Sequence, residues 1–296
     1  MERVNKVSVV FVLLHYNEIG VTHYAIEHIR SLENTEGCHI VVVDNCSPDK
    51  SGAVLMEEYA NDAFVTVIQT PQNLGFAKGN NFGYAYAKKN FSPEVIVVMN
   101  NDVMIKQKDF VLSLIGLSAT SEYEVLLPVI INKEGVNQNP FREKGLSTKK
   151  IIFEYLNILL LNVIYAIPGF NRWWMSRRKK TATITERNFS EGAMMVPHGA
   201  CVIFTRNWVK NEDFAFIPDT FLYGEEDLLF EYVMSKGYRT YFTKALTVHH
   251  LEDVSTNSVI SNQLAKDRFL LKNLLVSHKL LLKMRLSNKN KSRKEN

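Results

Sequence analysis

The chain begins with short apolar runs that recur at regular spacing and end in polar residues. Residues 7–14, 40–43, 65–68 and 95–99 are four such runs, rich in Val and Ile. Runs of this length and β-branched character predict strands buried on both faces. Between them, residues 19–32, 52–59 and 77–88 mix apolar and polar positions as helices do. Strands alternating with helices at this interval predict βαβ units and a parallel sheet, hence an α/β fold. The runs stop at His15-Tyr16-Asn17, Asp44-Asn45, Gln69-Thr70 and Asn100-Asn101-Asp102. In open α/β sheets ligands bind beyond the carboxyl ends of the strands, so four polar ends on one edge predict a crevice. Strand-end Asn and Asp also serve as turn residues, and that reading stands beside the first.

The pattern loosens after Phe110. Residues 125–131 predict a strand, 132–150 a loop, and 200–205 another buried strand. Glu225-Glu226-Asp227 opens a helix that runs to about Lys236, where Gly237 is a natural stop. Residues 240–248 predict one or two short strands ending at His249-His250, and 258–285 predict a helix of interleaved Leu and Lys. The chain thus divides at about residues 110 and 257, with 258–296 as a C-terminal helix and a basic, disordered tail.

At 296 residues the chain can bury one large core or two modest ones. The net charge of +4 does not call for nucleic acid. The basic residues cluster, however, at Arg177-Arg178-Lys179-Lys180 and from Lys283 to Lys294. The three cysteines, Cys38, Cys46 and Cys201, form neither a disulfide framework nor a zinc pattern, so a reducing cytoplasmic setting is expected. Residues 151–170 are apolar but for Glu154 and a few polar positions, and Trp173-Trp174 and the basic cluster follow. A span needs about 20 apolar residues, and Asn157, Asn162, Pro168 and Gly169 interrupt this one. A helix lying at the inner membrane surface and a buried helix both fit.

Several side chains could carry chemistry. Asp44 could bond a ribose or base edge, or close an Asx-turn with Ser47 or Asp49 capping the next helix. Gly75, Gly79 and Gly83 would let backbone approach a ligand or a neighbouring element. Their spacing matches neither a dinucleotide fingerprint nor a Walker loop. A diphosphate bound here would need another counter-charge, and a divalent metal held by Asp102 would supply it. Three adjacent acids at 225–227 either complement the helix dipole or raise one another's pKa toward general-base use. His249 and His250 are candidate metal ligands.

Taken in order, five or six segments resemble glycosyltransferase family 2, the inverting nucleotide-sugar transferases of the GT-A fold. They are VVVDNCSPD at 41–49, NLGFAKGNN at 73–81, VVMNND at 97–102 and FLYGEED at 221–227. HGACVIFT at 198–205 and HLEDVST at 250–256 are similar to the rhamnosyltransferase-like branch. The resemblance covers about residues 7–275. It implies a mostly parallel central sheet flanked by helices, with 1–110 binding the nucleotide sugar and 111–257 binding the acceptor and carrying catalysis. His15, Tyr16, Asn17, Asp44, Asn73, Gly75, Asn81 and Asn101 would form the nucleotide pocket. Asp102 would bind Mn²⁺ or Mg²⁺, completed by His250 or, second, His249. Glu226 would be the general base, with Asp227 and Glu225 as alternatives, because the family often has Glu-Asp where this chain has Glu-Glu-Asp. The metal element is Asn-Asn-Asp and lacks the first acid of the Asp-x-Asp form. Trp173 and Trp174 would help bind the acceptor. The implied reaction moves a sugar, rhamnose by the branch resemblance, to a glycan or lipid-linked acceptor in surface polysaccharide synthesis. A nucleotidyltransferase lacks support because no Gly-rich loop with Lys or Arg follows residue 14. A non-catalytic nucleotide-sugar-binding subunit is disfavoured by the intact acids.

Overall fold

The computed structural model describes residues 7–120, 122–167, 189–251 and 263–292. Trp173, Trp174, the basic cluster at 177–180, residues 252–256 and the last four residues lie outside them. The elements, in chain order, are β1 (Val9–His15), α1 (Ile19–Arg30), β2 (Cys38–Asp44), α2 (Ser51–Glu58), β3 (Val65–Gln69), α3 (Gly75–Phe91), β4 (Val95–Asn100) and β5 (Val103–Met104). They continue with α4 (Phe110–Thr120), β6 (Val125–Ile131), α5 (Thr148–Ala166), β7 (Gly192–Ala193), β8 (Cys201–Phe204) and α6 (Arg206–Asn211). The last three are α7 (Glu225–Lys236), β9 (Thr240–His250) and α8 (Gln263–Ser292).

One sheet of nine strands runs in the order β3-β2-β1-β4-β8-β6-β9-β5, with β7 also paired to β9. The first four strands are mutually parallel, as the alternation predicts. β8 lies antiparallel between β4 and β6, so the second half of the chain completes the sheet that the first half begins. β6 and β9 are parallel, and their register shifts between Leu127 and Val129. Pro128 sits at that shift, where its missing N–H removes a ladder bond.

Alternate strand residues feed two cores. Val9, Phe11 and Leu13 join Ile26 and Ile29 of α1 and Phe110 and Leu114 of α4 on one face. Val10, Val12, Val41 and Val43 join Tyr84 of α3, Trp208 of α6 and Leu229 and Val233 of α7 on the other. Burial on both faces explains why these strands read as unbroken apolar runs. α3 approaches the sheet through its glycines. A Cβ on Gly83 would come within 2.5 Å of both Val12 and Val43, and one on Gly79 within 2.7 Å of Leu14. The Gly-rich stretch therefore serves helix–sheet packing.

Candidate active site

The four parallel strands end on one edge, where their polar residues gather. His15 is fully buried, with Nδ1 2.7 Å from Thr22 Oγ1 and Nε2 2.8 Å from Ser51 Oγ. Asn101 Nδ2 donates to the same Thr22 hydroxyl. Ser51 Oγ in turn donates to Asp49. One tautomer of His15 satisfies the whole chain of bonds, from Asn101 through Thr22 and His15 to Asp49. Burial lowers the His15 pKa and keeps the ring neutral. Asp44 is also fully buried. Its Oδ1 accepts from Ser47 N and Oγ, and its Oδ2 from Gln69 Nε2. Asn81 spends its amide on backbone, accepting from Ala215 N and Phe216 N and donating to Phe216 O.

The polar atoms of His15, Asp44 and Asn81 are engaged by protein partners, which fixes their side chains at the edge of the pocket. The Asx-turn reading of Asp44 holds, and Asp49 Oδ1 accepts from Ser51 N at the start of α2, just after Lys50 in a left-handed conformation. Asn73 Oδ1 accepts from Asn45 Nδ2 and Gly75 N. Asn45 Oδ1 accepts from Leu74 N and Thr70 Oγ1. Asn45, at the polar end of β2, is thus the anchor of the 70–75 loop. Gly75 has φ +77°, and a Cβ there would meet Phe221 O at 2.2 Å. Phe76 N donates to that same oxygen, tying the loop to the segment before the acids. Tyr16 and Asn17 stand half-buried beyond β1, and Asn17 Oδ1 is a buried acceptor with no hydrogen bond.

Asp102 follows β4 and is buried, and its Oδ1 accepts no hydrogen bond. His250, at the end of β9, places Nε2 3.3 Å from that oxygen. The other ring nitrogen of His250 lies 2.9 Å from Gln138 Oε1. Donation from Nδ1–H to Gln138 leaves a lone pair on Nε2, facing a carboxylate oxygen. Two such acceptors side by side fit a divalent cation, whose neighbouring octahedral ligands stand about 3 Å apart. No group of three or more His, Cys, Asp or Glu gathers for a metal among the described residues. His249 points to the opposite face of the strand, as successive strand residues do. Burial lowers its pKa there, with the Lys106 charge and His28 acting in the same direction.

Next to this pair lies a cavity of about 410 Å³. The His198 and His250 rings are 6.0 Å apart, which joins the two places. The cavity walls include Gly199, Arg142, Glu154, His278 and all three acids of α7. The acids have three different surroundings. Asp227 is ion-paired with Arg142. Glu225 is buried, its Oε1 has no hydrogen-bond partner, and burial, reinforced by the Glu226 charge, pushes its carboxyl up to about 7. Glu226 lies against Gly199, where an added Cβ would sit 3.0 Å from Oε1. Burial raises the Glu226 pKa also, with the Asp227 charge acting in the same direction. α8 holds the loop before the acids: Ser277 Oγ donates to Tyr223 O, and a Cβ on Gly224 would strike Ser277. Arg142, Glu154 and His278 are lining residues that the sequence reading did not select. They stand 83, 71 and 51 positions from the nearest of the acids, and only tertiary folding brings them together.

The family model for glycosyl transferase family 2 matches residues 10–212. The chain belongs to glycosyl transferase family 2. The matched stretch includes Asp44 and Asp102 but ends before the acids of α7 and before His250. A curated relative, the low-salt glycan biosynthesis hexosyltransferase Agl10 of Haloferax volcanii, is 30% identical over 105 residues. That stretch is 35% of this chain and 32% of the relative, so the chain spans about a third of the relative's length. Among solved structures, the mannosyltransferase PcManGT of Pyrobaculum calidifontis, in complex with GDP-Man and Mn²⁺, matches with TM-score 0.54 and 13% identity. The match covers 97% of this chain and 75% of that one. GalNAc-T7 with UDP, GalNAc and Mn²⁺ matches with TM-score 0.56 and 12% identity, over 83% of this chain and 43% of that one. These likenesses identify the family member's fold as GT-A.

Proposed function

We propose that this family 2 member transfers a sugar from a nucleoside diphosphate to an acceptor hydroxyl with inversion, using Glu226 as general base. The observation that supports this best is the separation of the three acids. All three wall the cavity, but Asp227 is held by Arg142 and Glu225 is buried, whereas Glu226 is half-buried against Gly199. A partly buried carboxylate with a raised pKa suits proton abstraction near neutral pH. The acceptor oxygen bonds to the anomeric carbon as its proton passes to Glu226. The bond from that carbon to the diphosphate oxygen breaks on the opposite face.

Asp102 Oδ1 and His250 Nε2 would hold Mn²⁺ or Mg²⁺, with donor phosphates supplying further ligands. When bound, the ion would neutralise charge on the departing diphosphate. Tyr16, Asn17, Asn73 and Asn101 would stand around the nucleotide, on the frame that His15, Asp44, Asn45 and Asn81 brace. Glu154, His278 and Leu274 line the acceptor side of the cavity, and their mixed polar and apolar surface suits a saccharide. The acceptor class in this reading is a glycan, free or lipid-linked, of surface polysaccharide synthesis.

A thermal-shift panel of UDP-, GDP- and dTDP-sugars with Mn²⁺, dTDP-rhamnose among them, tests the reading. At 100-fold excess over Kd a donor stabilises by about 2.7 kcal/mol, a readable rise in Tm. One nucleotide class is expected to give that rise and to release nucleoside diphosphate when an acceptor glycan is added. A panel without a shift and without diphosphate release would overturn the reading.

A further inference from the structure

We infer that α5 and α8 together form a docking surface for an anionic lipid bilayer. The two helices run antiparallel. Glu154 meets His278 at 3.2 Å, Asn162 Nδ2 reaches Leu271 O at 3.3 Å, and Tyr165 OH reaches Asp267 at 3.0 Å. α5 buries Ile151, Ile158 and Tyr165 at seven-residue spacing. Its outward side is apolar as well: Ile152, Phe153, Leu156, Leu159, Leu160 and Val163 are all exposed, Phe153 at 70%. Globular surface helices put charged and polar residues there. A contiguous apolar stripe of this length marks an interaction site.

Charge selects the partner. The exposed charged side chains described on these two helices are Lys149, Lys150, Arg268, Lys272, Lys279 and Lys283, every one basic. Lys272, Lys279 and Lys283 follow one another along one side of α8. An apolar stripe beside a row of cations matches the acyl and headgroup levels of an anionic membrane surface. A two-fold dimer through the same layer would join two such rows with no exposed acid from either helix to oppose them. No helix of the described residues is long and apolar enough to cross a membrane, so the contact is peripheral. Glu154 and His278 also wall the cavity, so docking would place its acceptor side near the lipid surface. The docking surface rests on the helix pair and stands or falls apart from the transfer chemistry.

Co-sedimentation of the full chain with phosphatidylcholine–phosphatidylglycerol vesicles, against phosphatidylcholine alone, tests it. The chain is expected to bind the mixed vesicles and to release as salt rises. The double variant Phe153→Glu/Leu160→Glu is expected to lose binding while keeping its circular dichroism and Tm. The triple variant Lys272→Ser/Lys279→Ser/Lys283→Ser is expected to weaken binding about fivefold per lysine, about a hundredfold in all. Absence of binding by the unaltered chain would overturn the inference, as would binding by both variants equal to that of the unaltered chain. A dimer in solution that Phe153→Glu/Leu160→Glu dissociates, with no vesicle binding, would overturn it in favour of a second copy of the chain.

Discussion

Glu225→Gln should stabilise the protein at neutral and alkaline pH. The Glu225 side chain is 4% exposed and its Oε1 has no hydrogen-bond partner. Burial first, and the Glu226 charge second, push its carboxyl from 4.5 to about 7. The folded chain therefore keeps a proton that the unfolded chain releases, and stability falls as pH rises through that interval. The displacement corresponds to about 3 kcal/mol, nearly absent below pH 4.5 and fully expressed above pH 7. Gln occupies the same space and cannot ionise, so the variant escapes this loss. Urea denaturation of both proteins from pH 5 to pH 8 measures the effect. The variant's advantage should grow steadily with pH and level off near pH 8. An advantage that does not change with pH would refute the reasoning, because a constant difference reports packing and not ionisation.

Gly75→Ala should destabilise the protein by roughly 2–5 kcal/mol, combining a left-handed φ with overlap against Phe221 O, as read from a shifted urea midpoint. The same variant should weaken donor binding, because the 70–75 loop and the segment before the acids meet at that oxygen. Asp102→Asn should lower Mn²⁺ affinity at least about tenfold in a paramagnetic-relaxation titration. Unchanged Mn²⁺ affinity in that variant would remove Asp102 from the metal site.

Much of the fold was legible because β1, β2 and β4 are buried on both faces, so their apolar runs fall within a residue or two of their bounds, and β3, half-buried at the sheet edge, still keeps a short apolar run. α4 escaped notice because FVLSLIGLSAT is apolar almost throughout and has no sharp polar face. β9 is longer than its apolar pattern, since Lys244 and Ala245 are exposed in mid-strand. α3 begins at Gly75, ahead of the expected Ala77, because a left-handed glycine opens it against Phe221. The strand ends and the acids were legible as a group in the sequence, but the partners that hold each side chain were not. The Asx-turn at Asp44 was legible, but its second carboxylate oxygen is held by Gln69, a partner 25 residues away. Asn81 became a brace through a segment 134–135 residues away. Glu225, Glu226 and Asp227 look equivalent in sequence. They are told apart by Arg142 and Gly199, which only the tertiary fold brings to them.

The most direct test of Glu226 as the base is Glu226→Gln, assayed for both transfer rate and donor affinity with Mn²⁺ present. The account predicts a transfer rate lower by about 10²–10⁴-fold, with donor Kd within about twofold of the unaltered protein. Transfer at the unaltered rate would contradict it.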